Sequence, residues 1–163
     1  MNKANVLKLA DFIEKSETYY QGKWLRRHGE IGSDCGTPAC IAGHCLSLAV
    51  SEGYEYSDHA YTQGSFEQDC IMDDNGIFKH RYDATWWVES LFRRYLEVND
   101  KDHNELVAYS PLDFALTYDE TERYIQLNGS LSPTREIAVS VLRNFAETGE
   151  VDWVTPAKES VKI

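Results

Sequence analysis

The stretch Asp34-Cys35-Gly36-Thr37-Pro38-Ala39-Cys40-Ile41-Ala42-Gly43-His44-Cys45-Leu46-Ser47-Leu48-Ala49-Val50 constrains this chain more than any other. It is the longest near-unbroken apolar run, and it holds three of the four cysteines. Thr37 suits an N-cap and Pro38 the first helical position, where the missing N–H costs nothing. The spacing therefore predicts a helix from Thr37-Pro38 to about Val50 or Ser51, stopped before Gly53. On a helical wheel Ile41, Ala42, Cys45, Leu46 and Ala49 cover a broad arc, while Cys40, His44, Ser47 and Ser51 form a separate stripe. A helix apolar over so much of its surface belongs inside, so the remaining elements must wrap around it.

Those elements are mostly helical by pattern. Val6, Leu9, Ala10 and Ile13 share one face of a helix over about Lys3 to Lys15, with Asn2 as cap. Glu17 to Arg27 lacks clear periodicity, and His28 to Gly36 reads as a loop. Asp69 to Met72 and Ile77 to Tyr82, joined through Asp73-Asp74-Asn75-Gly76, predict a small β-hairpin, because Asn-Gly favours the positive φ of a tight turn. A third helix is expected over Ala84 to Val98, then a polar loop over Asn99 to Asn104. A short helix follows from Ser110-Pro111 to Leu116, another from Asp119 to Leu127, and a last one capped by Ser132, led by Pro133 and closed by Gly149. The expected fold is mainly α (α+β in class): one compact domain over residues 1–155 with five or six helices and one small hairpin, then a loose tail over 156–163.

The formal charge of −11 is unevenly spread. From His28 to Phe78 there is no Lys or Arg, whereas Glu30, Asp34, Glu52, Glu55, Asp58, Glu67, Asp69, Asp73 and Asp74 are acidic. Such a field repels phosphate backbones, which argues against direct nucleic-acid binding and for a basic protein surface as partner. No run reaches the roughly 20 apolar residues of a membrane helix, and the first residues do not read as a signal peptide. The expected location is the cytoplasm, where cysteines stay reduced.

Three constellations bear on chemistry. Cys40 and His44 lie one helical turn apart, and Cys35 could fold back towards them, a sulfur and nitrogen set that zinc accepts; Cys70, His59 or His80 would be the fourth ligand. The competing reading is packed thiols beside a hydrogen-bonded histidine, with no cofactor. Second, Asp34-Cys35-Gly36 before a helix resembles the start of papain-like cysteine peptidases, which would make Cys35 a nucleophile and His59 or His80 its base. Thr37-Pro38 adds a residue to that pattern and moves Cys35 upstream of the cap. Third, Tyr54, Glu55, Tyr56, Asp58 and Tyr61, with Asp73 and Asp74 at the turn, interleave rings and carboxylates as a protein-binding surface does. Phosphate-binding loops and serine-nucleophile motifs are absent. Asp-Asp-Asn-Gly is no calcium loop, because Ile71 stands where an oxygen ligand is needed.

Cys35-Gly36-Thr37-x-x-Cys40-Ile41-Ala42-Gly43, with the later Glu147-Thr148-Gly149-Glu150, resembles a set of uncharacterised small proteins from bacteria and their phages. The resemblance carries no assigned activity. It implies a bacterial or phage origin and, for an acidic protein, an inhibitor of a host nucleic-acid-binding defence system of the CRISPR or restriction type. The leading expectation is thus a non-enzymatic acidic protein-binding module. The alternatives are a zinc-stabilised domain using Cys35, Cys40 and His44, and a cysteine hydrolase using Cys35. The oligomeric state is left open.

Overall fold

Asn2 opens the chain's first helix, as its side chain accepts from the Asn5 N–H, and α1 runs over Lys3–Lys15. Val6, Leu9, Ala10 and Ile13 are all fully buried on its inner face. A computed structural model describes residues 1–17, 19, 40–54, 91–108 and 111–162. After α1 come α2 (Ile41–Ser51), a helical run over 91–96 (α3), α4 (Asp100–Leu106), α5 (Tyr118–Asn128), α6 (Arg135–Thr148) and α7 (Val154–Ser160). The fold is mainly α. The α+β expectation is corrected, for the described residues hold seven helices and no strand. The hairpin expected over 69–82 lies outside the described residues.

The main packing unit is α1 laid against α6, with α2 also on α1 and α7 on α6. Ile137, Ala138, Val141, Leu142 and Phe145 form the buried stripe of α6 and join the same core cluster as α1 and α2. At the rim of that contact Arg143 donates to both Glu14 carboxylate oxygens, at 3.2 and 2.8 Å, and to Asp11 at 3.1 Å. These groups are largely exposed, so the cluster orients the two helices more than it stabilises them, at about 1 kcal/mol or less per pair.

Helix α3 stops because Glu97 takes a left-handed conformation (φ 52°). Its last carbonyls would be left without partners. The start of α1 supplies donors: the Asn2 N–H meets the Leu96 carbonyl at 2.7 Å, and the buried Asn5 Nδ2 meets the Tyr95 carbonyl at 2.7 Å. Asn99 then caps α4 by accepting from the Asp102 N–H, so the loop expected over 99–104 is a helix instead. Only His103 and Leu106 of α4 are buried, too few for a periodic signal.

Two further boundaries differ from the sequence reading. Residues 111–116 form turns rather than a short helix. Helix α6 is capped by Thr134 rather than Ser132, because the Tyr124 hydroxyl donates to the Ser132 carbonyl (3.0 Å) and accepts from the Thr134 N–H (3.1 Å). That pair of bonds holds residues 132–134 outside the helix.

The expected loose tail 156–163 is corrected over its described part. Pro156, Ala157 and Val161 are buried, and the buried Trp153 ahead of them donates its indole N–H to the Glu105 carbonyl at 2.9 Å. Because α7 packs into the core, ending the chain at Thr155 lowers the unfolding free energy by about 1–3 kcal/mol, the transfer value of the lost apolar burial. Urea denaturation of the truncated chain measures it, and an unchanged midpoint would contradict the packing of α7.

Candidate functional site

Helix α2 carries the residues singled out for metal or thiol chemistry. It ends as its sequence predicts: Gly53 adopts φ 82°, and the Tyr54 N–H reaches back to the Ala49 carbonyl at 3.0 Å, satisfying an orphan acceptor. The stripe of Cys40 and His44 does not face outward. Cys40, Ile41, Ala42, His44, Cys45 and Leu46 are all buried, so the first half of α2 is enclosed, while Ser47 and Ser51 further along are exposed. The His44 ring is stacked by Tyr19 (centroids 6.1 Å, 9° between planes) and met edge-on by Phe12 (5.9 Å, 70°). Both rings lie against the histidine of that stripe.

Burial fixes the chemistry of these groups. It pushes the Cys40 thiol from 9.0 up to about 11, and raises Cys45 and Tyr19 well above their ordinary values. A thiol held neutral is a poor nucleophile. Among the described residues no group of three or more His, Cys, Asp or Glu is placed to hold a metal ion. Cys35, Cys70, His59 and His80 lie outside the described residues.

Tyr54, expected on a recognition surface, covers the core instead. Its ring meets Tyr95 edge-on at 5.1 Å, and it packs on the core cluster. The Tyr95 hydroxyl donates to Glu52 Oε2 at 3.1 Å, while Lys8 Nζ donates to both Glu52 oxygens at 3.0 and 3.2 Å. Lys8, aided by Tyr95, holds the Glu52 carboxyl below the ordinary carboxylate range. The network ties α1, α2 and α3 together and leaves no reactive group. Glu55, Tyr56, Asp58, Tyr61, Asp73 and Asp74 lie outside the described residues.

A second acidic and aromatic segment carries exposed rings, and the sequence reading passed over it. From Asp102 to Glu122 there is again no Lys or Arg, while Asp102, Glu105, Asp113, Asp119, Glu120 and Glu122 are acidic. Within it Phe114 is 95% exposed and Tyr118 75% exposed. Thr117 and Glu120 form a reciprocal capping box that starts α5 directly after Phe114. Tyr124 is the one buried residue of α5, so the remainder of this helix faces outward. Tyr118 donates its hydroxyl to Glu122 at 2.8 Å, one turn along. Ile125 (41% exposed) continues that line, and Leu127 (56%) lies on the far side of the helix. Asp113, Asp119 and Glu122 enter none of the ion pairs formed among the described residues. The available clue was the base-free run with Phe114 and Tyr118 four residues apart. No local pattern tells an exposed ring from a buried one.

The shifted groups set a pH window. Cys40, Cys45, Tyr19 and Tyr95 have raised folded-state values, so the stability they confer is complete below the unfolded value and lost as pH rises through 9.0 towards about 11 for Cys40. Glu52, Glu120, Glu136 and Asp152 have lowered values, so their contribution is present above 4.5 (3.8 for Asp152) and lost as pH falls below it. Urea midpoints should be level between about pH 6 and 8 and fall on both sides. Iodoacetamide at neutral pH should label Cys40 and Cys45 only after denaturation. Labelling of the native chain at the rate of a free thiol would contradict their burial.

Comparison with family models, with curated proteins and with solved structures finds no match, so the site is read from its own geometry.

Proposed function

We propose that the protein is an acidic protein-binding module whose partner presents a basic surface. The observation that carries this reading is Phe114, almost wholly exposed in a segment that holds four acids and no base between Asp113 and Glu122. An exposed Phe contributes nothing to the core. Covering it in a complex is worth about 1.5–3 kcal/mol, so it serves association rather than folding. Aromatic anchors inside a polar rim are the usual energetic centre of a protein interface. The net charge of −11 adds long-range attraction for a basic partner and repulsion of bare nucleic acid. Proteins that hold nucleic acid carry basic surfaces of this kind. The buried, neutral thiols of Cys40 and Cys45 favour a binding role over a catalytic one for α2.

The test compares the tagged wild-type chain with two variants in capture from a bacterial lysate: Phe114→Ala with Tyr118→Ala, and Asp113→Lys with Asp119→Lys and Glu122→Lys. Both variants should melt like the wild type, because none of these side chains is buried. Both should lose the same captured basic protein, by at least about tenfold. Retention of identical partners by both variants would contradict the reading.

A further inference from the structure

We infer that the outward line of α5, Tyr118, Glu122 and Ile125 with Phe114 at its head, is a dock for a basic amphipathic helix of a partner protein. The inference rests on the protein-binding reading above and adds the shape of what is bound. Tyr118, Glu122 and Ile125 stand at i, i+4 and i+7, so they form one line about 10 Å long on the helix. Among the residues of α5 only Tyr124 is buried, and this line stays exposed.

The backbone of α5 is already satisfied at both ends. The capping box closes its start, and the Gly129 N–H meets the Ile125 carbonyl at 2.7 Å at its end. The described residues offer no strand edge either, so strand addition has no template here. Recognition must therefore run through side chains. Tyr118 and Ile125, two helical turns apart with Glu122 between them, are matched by a second helix whose own apolar residues repeat every three or four positions and are flanked by cations.

Charge selects the occupant. Glu122 stands within the line, Asp113 and Asp119 flank Tyr118 in sequence, and Arg123 is the one base within α5. A second copy of this chain would set those carboxylates against themselves, with a net charge of −11 on each copy. A helix flanked by Lys and Arg places cations against them instead.

The test uses three fluorescent peptides of about 18 residues, long enough to cover the line with turns to spare. One holds Leu and Lys in helical pattern, one is its scramble, and one holds Leu and Glu in the same pattern. Each is titrated by anisotropy with the full chain, with Tyr118→Ala plus Ile125→Ala, and with Leu127→Ala as the control on the opposite side. Circular dichroism checks that the variants keep the fold. The patterned Leu/Lys peptide should bind at least about tenfold more tightly than the other two, lose about tenfold in the Tyr118 and Ile125 variant, and be unaffected by Leu127→Ala.

Equal binding of the patterned and scrambled basic peptides would overturn the helical dock while leaving the protein-binding reading in place. No binding of either basic peptide would overturn both. Equal loss in the Leu127 variant would also overturn it, as would self-association of the chain abolished by Tyr118→Ala plus Ile125→Ala.

Discussion

Two asparagines at the start of the chain close the open end of a helix ninety or more residues away. Asn2 through its backbone and Asn5 through its side chain donate to the last carbonyls of α3, where Glu97 has turned the chain out of the helix. A buried carbonyl without a donor costs about 1–3 kcal/mol, so α3 can end at this depth only because α1 begins beside it. The same helix gives its apolar face to α6, touches α2, and reaches Glu52 through Lys8. The positions of α2, α3 and α6 all refer to α1.

Among the described residues, that arrangement buries the thiols of Cys40 and Cys45 and leaves the rings of Phe114 and Tyr118 exposed. Enclosure keeps Cys40 and Cys45 neutral and surrounds His44 with rings. Among the residues of α5 only Tyr124 is buried, and the helix carries Tyr118 and Ile125 outward after the turn that exposes Phe114. Rings exposed among unpaired carboxylates stabilise nothing within the chain. Their chemistry suits a basic apolar partner.

The sequence was informative wherever structure is decided by neighbours along the chain. Asn2 and the spacing of Val6, Leu9, Ala10 and Ile13 place α1 over Lys3–Lys15, and Gly53, Gly129 and Gly149 mark helix ends where φ is positive. It was silent where distant residues decide. Helices α4 and α7 have seven residues each, and the Trp153 bond to Glu105 joins the two segments across the fold. The hydroxyl of Tyr124 moves the start of α6 from Ser132 to Thr134. Cys40 and His44 form a polar stripe on a helical wheel, yet both are buried, with Tyr19 and Phe12 against His44. Of the candidate site, Tyr54 is partly buried against the core, and Phe114 and Tyr118 came to light only as exposures.

Native-state hydrogen exchange, resolved residue by residue, tests most directly whether α1 and α6 form the structural base with α5 outside it. The amides of α1 and α6 should exchange only through global unfolding, and those of α5 should open locally and far faster. Protection of α5 equal to that of α6, or rapid exchange along α1, would contradict the account.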